Sequence, residues 1–185
     1  MTTGTKVFWI IFIILCFLIN AAATFIKIRH IKKIREAKIV YKNINNIKND
    51  NKGWLFSYLR KVDPFVFEEL VLISFKKQGF RIKRNRQYTH DGGIDGRVRK
   101  NGKKYLIQTK RYSDYINIAH VKEFIKTCRY YKVSGYFVHT GKTGEETKEL
   151  LKKNPQIKLI SGEKLYEFFI LDYPKSKDLF FEGKL

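Results

Sequence analysis

The chain has 185 residues, with 38 lysines and arginines against 17 aspartates and glutamates, a net charge of +21. That length suits one domain plus an appendage, and the basic excess points to polyanionic partners, nucleic acid or acidic lipid, while saying nothing of sequence specificity. Two cysteines in unlike surroundings, Cys16 and Cys128, argue against a disulfide framework, and no zinc-type Cys/His spacing occurs.

Val7 to Ile26 is an uncharged apolar run, long enough to span a hydrocarbon core as a helix. A cleaved signal peptide is the rival reading, with Ala21-Ala22-Ala23 as its cleavage site. The flanks favour an anchor. Only Lys6 precedes the run, whereas Lys27, Arg29, Lys32, Lys33 and Arg35 follow it. Positive charge collects on the cytoplasmic side, so the expected topology is a single pass in the cytoplasmic (inner) membrane with the C-terminal part in the cytoplasm. Ile28, Ile31 and Ile34 keep helical spacing among basic residues. This segment reads as an extension of the membrane helix, a helix on an anionic leaflet, or a solvated basic tether. Asn43 to Gly53 is polar and asparagine-rich and reads as a linker. The expected organisation is an anchor over 1–28, a basic juxtamembrane segment and linker over 29–53, a domain over 54–172 and a tail over 173–185.

Trp54 to Leu59 predicts a short helix. Asp63-Pro64 is a strong helix start, with Asp as N-cap and Pro in the first turn. The residues that follow leave little polar face, so this helix is expected to be buried. Glu68 shares a face with Leu72 and Phe75, and a carboxylate among apolar groups is costly unless it meets a cation, a metal or a donor. Glu68 is therefore a candidate site residue; the alternative is a partly exposed acid favoured by the helix dipole. Glu69, sharing a face with Ile73 and Lys76, reads as a surface acid paired with Lys76 or another cation. Gly79 ends the helix, and Phe80 to Lys83 alternates as a strand. Arg81, Lys83, Arg84 and Arg86 make a basic stretch. Tyr88, His90 and Asp91 occupy the loop beyond it; His90 reads as solvated, and Asp91 as shaping the glycine turn or holding a second ion.

Two β-rich runs then flank Asn101-Gly102, the dipeptide favoured in a two-residue type I′ turn. With that turn, Lys100 faces Lys103 and Asp95 faces Gln108. Period-two alternation puts Asp95, Arg97, Gln108 and Lys110 on one face and Ile94, Val98, Tyr105 and Ile107 on the other. A carboxylate, an amide and an amine in cross-strand reach can hold a metal and steer a phosphate. The same pattern also suits the solvated face of an amphipathic hairpin. Gly92-Gly93 at the strand start permits close backbone approach.

Ile118 to Tyr131 reads as a helix with Val121, Phe124, Ile125, Cys128 and Tyr131 on one stripe, and Gly135 to Thr140 as a short strand. Gly141-Lys142-Thr143 fails the P-loop spacing, because the required glycine would stand at Tyr136. Thr143 and Glu146 read instead as a capping box opening a helix to about Lys153. His139 reads as structural. Ile157 to Ile160 is a last strand, and Ser161 starts a last helix through Ile170. This order implies a mixed sheet between helices, an α/β fold.

The strings Phe67-Glu68-Glu69-Leu70-Val71, Gly79-Phe80, Asp91-Gly92-Gly93-Ile94-Asp95 and Tyr105 to Tyr112 (Y-L-I-Q-T-K-R-Y) resemble the Mrr-like restriction endonuclease family, within the PD-(D/E)xK nucleases. The resemblance covers about Asp63 to Ile170, and Gln108 stands where many of the wider superfamily carry glutamate. It implies a restriction-endonuclease-like fold and an endonuclease that hydrolyses DNA with Mg²⁺ or Mn²⁺, which the apolar N-terminal run would tether to the membrane. On that resemblance Asp95 is the main metal ligand and Gln108 a weaker one through its carbonyl. Lys110 orients or helps deprotonate the attacking water, and Glu68 holds the lysine, a water or a second ion. Arg81, Lys83, Arg84, Arg86, Arg111 and Tyr112 are candidates for DNA backbone contacts. The alternative is a weakly active or inactive DNA-binding module of a membrane-associated transfer or defence machine. A homo-oligomer and such machinery are the further partners implied, beside DNA and the membrane.

Overall fold

The computed structural model describes residues 3–46, 52–85 and 93–170. The readings placed on Arg86, Tyr88, His90, Asp91, Gly92 and the tail from residue 173 lie outside them. In chain order the elements are α1 (Thr3–Asn46), α2 (Lys52–Lys61), α3 (Pro64–Lys77), β1 (Arg81–Arg84), β2 (Gly96–Lys100), β3 (Lys103–Lys110), α4 (Ile118–Tyr130), β4 (Ser134–His139), α5 (Glu145–Lys152), β5 (Ile157–Ile160) and α6 (Gly162–Ile170).

The expected order of helices and strands is the observed one. The sheet runs β1-β2-β3-β4-β5, antiparallel through β1, β2 and β3 and parallel from β3 to β5. Asn101 and Gly102 both have positive φ, 49° and 79°, as a type I′ turn requires. They fix the register Lys100↔Lys103 and Gly96↔Ile107.

Helices cover the two faces of this sheet. On one, α3 and α6 pack against Val98, Ile107, Tyr136 and Val138. On the other, α4 packs against Leu106 and Phe137. The contact with α4 is close because Gly135 has no side chain; a Cβ there would come within 2.5 Å of the Phe124 ring. The hairpin was expected to have one apolar and one polar face. Instead β3 is the middle strand, and its parallel partner β4 brings a crossover helix over the face expected to be polar. Leu106 and Gln108 are consequently buried, and Ile94 joins the α4 cluster instead of the Val98 side.

The apolar N-terminal run is the first part of a single helix that continues through the basic segment to Asn46. Phe8 to Ile28 carries its large apolar side chains exposed, and α1 is long and apolar enough to cross a membrane. Its second part is not a free tether, because one of its faces packs on the domain. Ala37 and Ile44 are buried in the main core, with Val40 and Tyr41 packed against it. These positions, at i, i+3, i+4 and i+7, form one helical stripe, and it lies on α3. Lys33 Nζ also reaches Asp63 at 3.3 Å.

Two local expectations need correction. Glu69 is not a surface acid: it is 1% exposed, its Oε2 accepts from Arg84 Nε at 2.6 Å, and its Oε1 lies 3.5 Å from His30. The reason is that α3 is sandwiched between the sheet and α1, which leaves that face no access to water. The capping box is also absent. Gly144 is the N-cap of α5 without a side-chain bond, and Thr143 Oγ1 instead meets His139 Nε2 at 3.3 Å.

Candidate active site

The site forms where the start of β2, the end of β3 and the first turns of α3 meet. Asp63 caps α3 by accepting from the Phe65 and Val66 N–H groups at 3.0 and 3.2 Å, with Pro64 in the first turn. That cap sets the helix phase that brings Glu68 to the sheet. Asp95 precedes β2, so the strand pleat does not dictate its direction. Its backbone N–H donates to the Ile107 carbonyl at 2.9 Å. Its Oδ2 accepts from both the backbone N–H and the hydroxyl of Thr109, at 2.5 and 2.9 Å. The result is a cleft of about 220 Å³ lined by Pro64, Phe67, Glu68, Asp95, Thr109, Lys110 and Arg111.

The cleft is electrostatically strained in favour of a cation. Burial, reinforced by the negative charge of Asp95, pushes the Glu68 carboxyl up to about 9, with Lys110 pulling the other way. Burial also raises Asp95, to about 6, against the lowering effect of the two Thr109 bonds and of Lys110. Two carboxylates that each resist ionisation beside one ammonium form a site that an added positive charge would stabilise.

The predicted residues divide. Asp95, Glu68 and Lys110 share the cleft. Gln108 is not among its lining residues; it is buried, its Oε1 has no hydrogen-bond partner, and a Cβ on Gly93 would lie 2.6 Å from its Nε2. Glycine at 93, with φ of +74°, is thus what lets the chain pass over the amide. Arg111 lines the cleft, but its Nη1 donates to the Arg60 and Val62 carbonyls at the end of α2. Arg84 is tied to Glu69. The Tyr112 hydroxyl meets His120 Nδ1, and its N–H donates to Thr140 Oγ1 at 3.0 Å. These three side chains therefore each carry a bond that ties elements of the fold together. Arg81 and Lys83 remain exposed. Thr109 was not anticipated. Its position inside the Gln-x-Lys string was the available signal, since a hydroxyl there can bond the facing acid. His139 is fully buried, and burial lowers it to about 4, so it stays neutral as a structural residue.

A divalent ion fits the donor chemistry. Among the described residues no three His, Cys, Asp or Glu side chains gather to hold a metal. Mg²⁺, however, commonly takes one or two carboxylates and fills its remaining positions with water and substrate phosphate. Asp95 and Glu68 could supply that pair; the Gln108 amide lies on the same strand as Lys110, β3, but outside the cleft lining.

Comparison with known proteins adds three findings. The family model described as restriction endonuclease, the Mrr-type catalytic domain, matches residues 59–169. No curated protein matches the chain. A crystal structure of a protein of unknown function is similar at 18% identity with a TM-score of 0.44, over 62% of this chain and 61% of that one. The family match covers more than half the chain and contains every residue of the cleft: the chain belongs to the Mrr-type restriction endonuclease family.

Proposed function

We propose that the protein is a membrane-tethered endonuclease that hydrolyses DNA phosphodiester bonds with Mg²⁺ or Mn²⁺. The observation that carries this reading is the cleft itself: Asp95 fixed by Thr109, with Glu68 and Lys110 on the same walls.

Asp95 and Glu68 would hold the ion. When bound, the ion supplies Lewis-acid stabilisation of charge on the scissile phosphate. The protein's own residues do the rest. Thr109 keeps one Asp95 oxygen occupied, which orients the other. The Lys110 ammonium would face the phosphate and offset the negative charge that grows as water attacks phosphorus and the P–O bond to the sugar breaks, the water's proton passing to solvent and the departing sugar oxygen taking one from solvent. Glu68, whose carboxyl burial and the Asp95 charge hold well above the usual carboxylate range, would give up its proton to solvent on binding a cation. Phe67 and Pro64 form an apolar wall that limits water around these charges. The exposed apolar part of α1 would hold this domain at the inner face of the cytoplasmic membrane.

The test is plasmid nicking by the full chain in detergent, with Mg²⁺, with Mn²⁺ and with chelator. The account expects nicking that needs the ion. A second reading has one specific observation in its favour, the enclosure of Gln108 away from the cleft lining. It makes the protein a DNA-binding module of a larger machine, and DNA binding without cleavage under every metal would select it.

A further inference from the structure

A second concave surface lies on the sheet, and it shares no lining residue with the cleft. It is a groove of about 460 Å³ on β1, β2 and β3, bordered by Tyr131 and Val133 beyond α4. Five basic residues line it: Arg81, Lys83, Arg97, Arg99 and Lys104. No acid stands among its lining residues. All five lie on the α4 face of the sheet, on the part of it that α4 does not cover, and Arg81, Lys83, Arg99 and Lys104 are exposed. The register makes the arrangement costly: Arg81 is directly opposite Arg99, Lys83 opposite Arg97, and Arg99 opposite Lys104. Like charges facing each other across strands destabilise a sheet. Arg97 is partly restrained, since its Nη1 donates to Asn85 Oδ1 at 3.0 Å.

We propose that this groove is a separate docking site for the phosphate backbone of nucleic acid. The proposal rests on the nuclease reading only in taking DNA as the ligand. Three observations choose that occupant. The cationic rows suit a linear polyanion: same-face residues recur about every 6.8 Å along a strand, roughly two steps of a nucleic-acid strand whose charges recur about every 3.4 Å, and adjacent strands repeat them about 4.8 Å apart. Tyr131, half-exposed at the rim, offers a ring face on which a base can stack. The groove also lies on the face of the sheet opposite to the one covered by α3 and α1, so it faces away from the helix that would enter a bilayer. That placement disfavours lipid headgroups. The bound strand relieves the cross-strand repulsion, and this holds DNA on the protein independently of the cleft.

The test uses the full chain in phosphatidylcholine nanodiscs, with chelator present so that no DNA is cut. Binding of a short fluorescent duplex is measured across a salt series. Arg99→Glu with Lys104→Glu should lower affinity at least tenfold near physiological salt and reduce the salt-dependence slope by about two, one per lost phosphate contact. Lys126→Glu with Lys153→Glu, exposed positions outside the groove, should change both far less. The neutral pair Arg99→Gln with Lys104→Gln separates binding from folding: it should weaken DNA binding while raising the melting temperature, because repulsion is removed. Unchanged affinity and slope in the groove variants would overturn the proposal. So would losses matched by the control pair, or a loss of binding to phosphatidylserine vesicles with DNA binding intact. Groove variants that lose DNA while the wild type never nicks plasmid would uphold the groove and sink the nuclease reading; nicking with no groove effect would do the reverse.

Discussion

Asp95 Oδ2 accepts two hydrogen bonds from a single residue, Thr109, one from its backbone at 2.5 Å and one from its hydroxyl at 2.9 Å. The backbone bond survives any substitution that keeps the strand. The hydroxyl bond does not, and Thr109→Val removes it with little change of shape. A hydrogen bond to a charged group contributes about 1.5–3 kcal/mol. If half of that is spent on holding Asp95 in its working orientation, cleavage slows by about tenfold or somewhat less. Single-turnover cleavage with saturating metal reads this directly. Thr109→Ser should recover most of the rate.

The Glu68 carboxyl gives the metal-free protein a pH signature. Burial first, and the Asp95 charge second, place its folded value near 9, above the ordinary carboxylate range. A raised folded value contributes stability in full below the unfolded value, and that contribution is lost as pH rises through the folded one. Relative to Glu68→Gln, the metal-free wild type should therefore lose stability steadily from mildly acidic pH to about 9. Urea titrations at several pH values test this, and Mg²⁺ should flatten the wild-type profile more than that of the variant.

Much of this site was legible from one turn. Asn101-Gly102 fixed the pairing, and the pairing brought Asp95 to the end of β3 where Lys110 stands. Gln108 and Glu69 show where such reasoning stops. Alternation along a strand says which residues share a face, but not that α4 will cover the face carrying Gln108. Helical spacing put Glu69 beside Lys76, but could not show α1 closing over that side of α3. The stripe Ala37, Val40, Tyr41 and Ile44 was the missing signal for α1. Among basic neighbours its apolar spacing was easy to read as tether.

Glu69 and Arg84 form a buried ion pair at 2.6 Å, with the Glu69 side chain 2% exposed. Removing the guanidinium takes away one partner of that buried carboxylate; His30 Nε2 also lies 3.5 Å from it. Arg84→Met should destabilise the fold by about 1–3 kcal/mol, measured by urea denaturation. The loss should shrink in the double variant with Glu69→Leu. Because this pair belongs to the junction of α1, α3 and β1, DNA affinity should change little at temperatures where the variant stays folded.

The packing of α1 on α3 sets where the chain can be shortened. A form beginning at Arg29 keeps Ala37 and Ile44 in the core, whereas one beginning at Lys52 exposes the surface they cover. Burying a side chain such as isoleucine contributes about 1.5–3 kcal/mol. The shorter form should be less stable by at least that amount and melt several degrees lower. Equal melting temperatures would show that the second part of α1 is an accessory to the domain and no part of its core.

Lys110→Ala gives the most direct measurement of the central claim, that Asp95, Glu68 and Lys110 form a cleft that cuts DNA. The full chain and the variant are compared for metal-dependent plasmid cleavage at equal DNA occupancy, with melting curves to confirm equal folding. The account predicts a fall of at least about a hundredfold in cleavage rate, the cost of losing a charge placed against a developing anion, with DNA binding preserved. Cleavage by Lys110→Ala at the wild-type rate would contradict it.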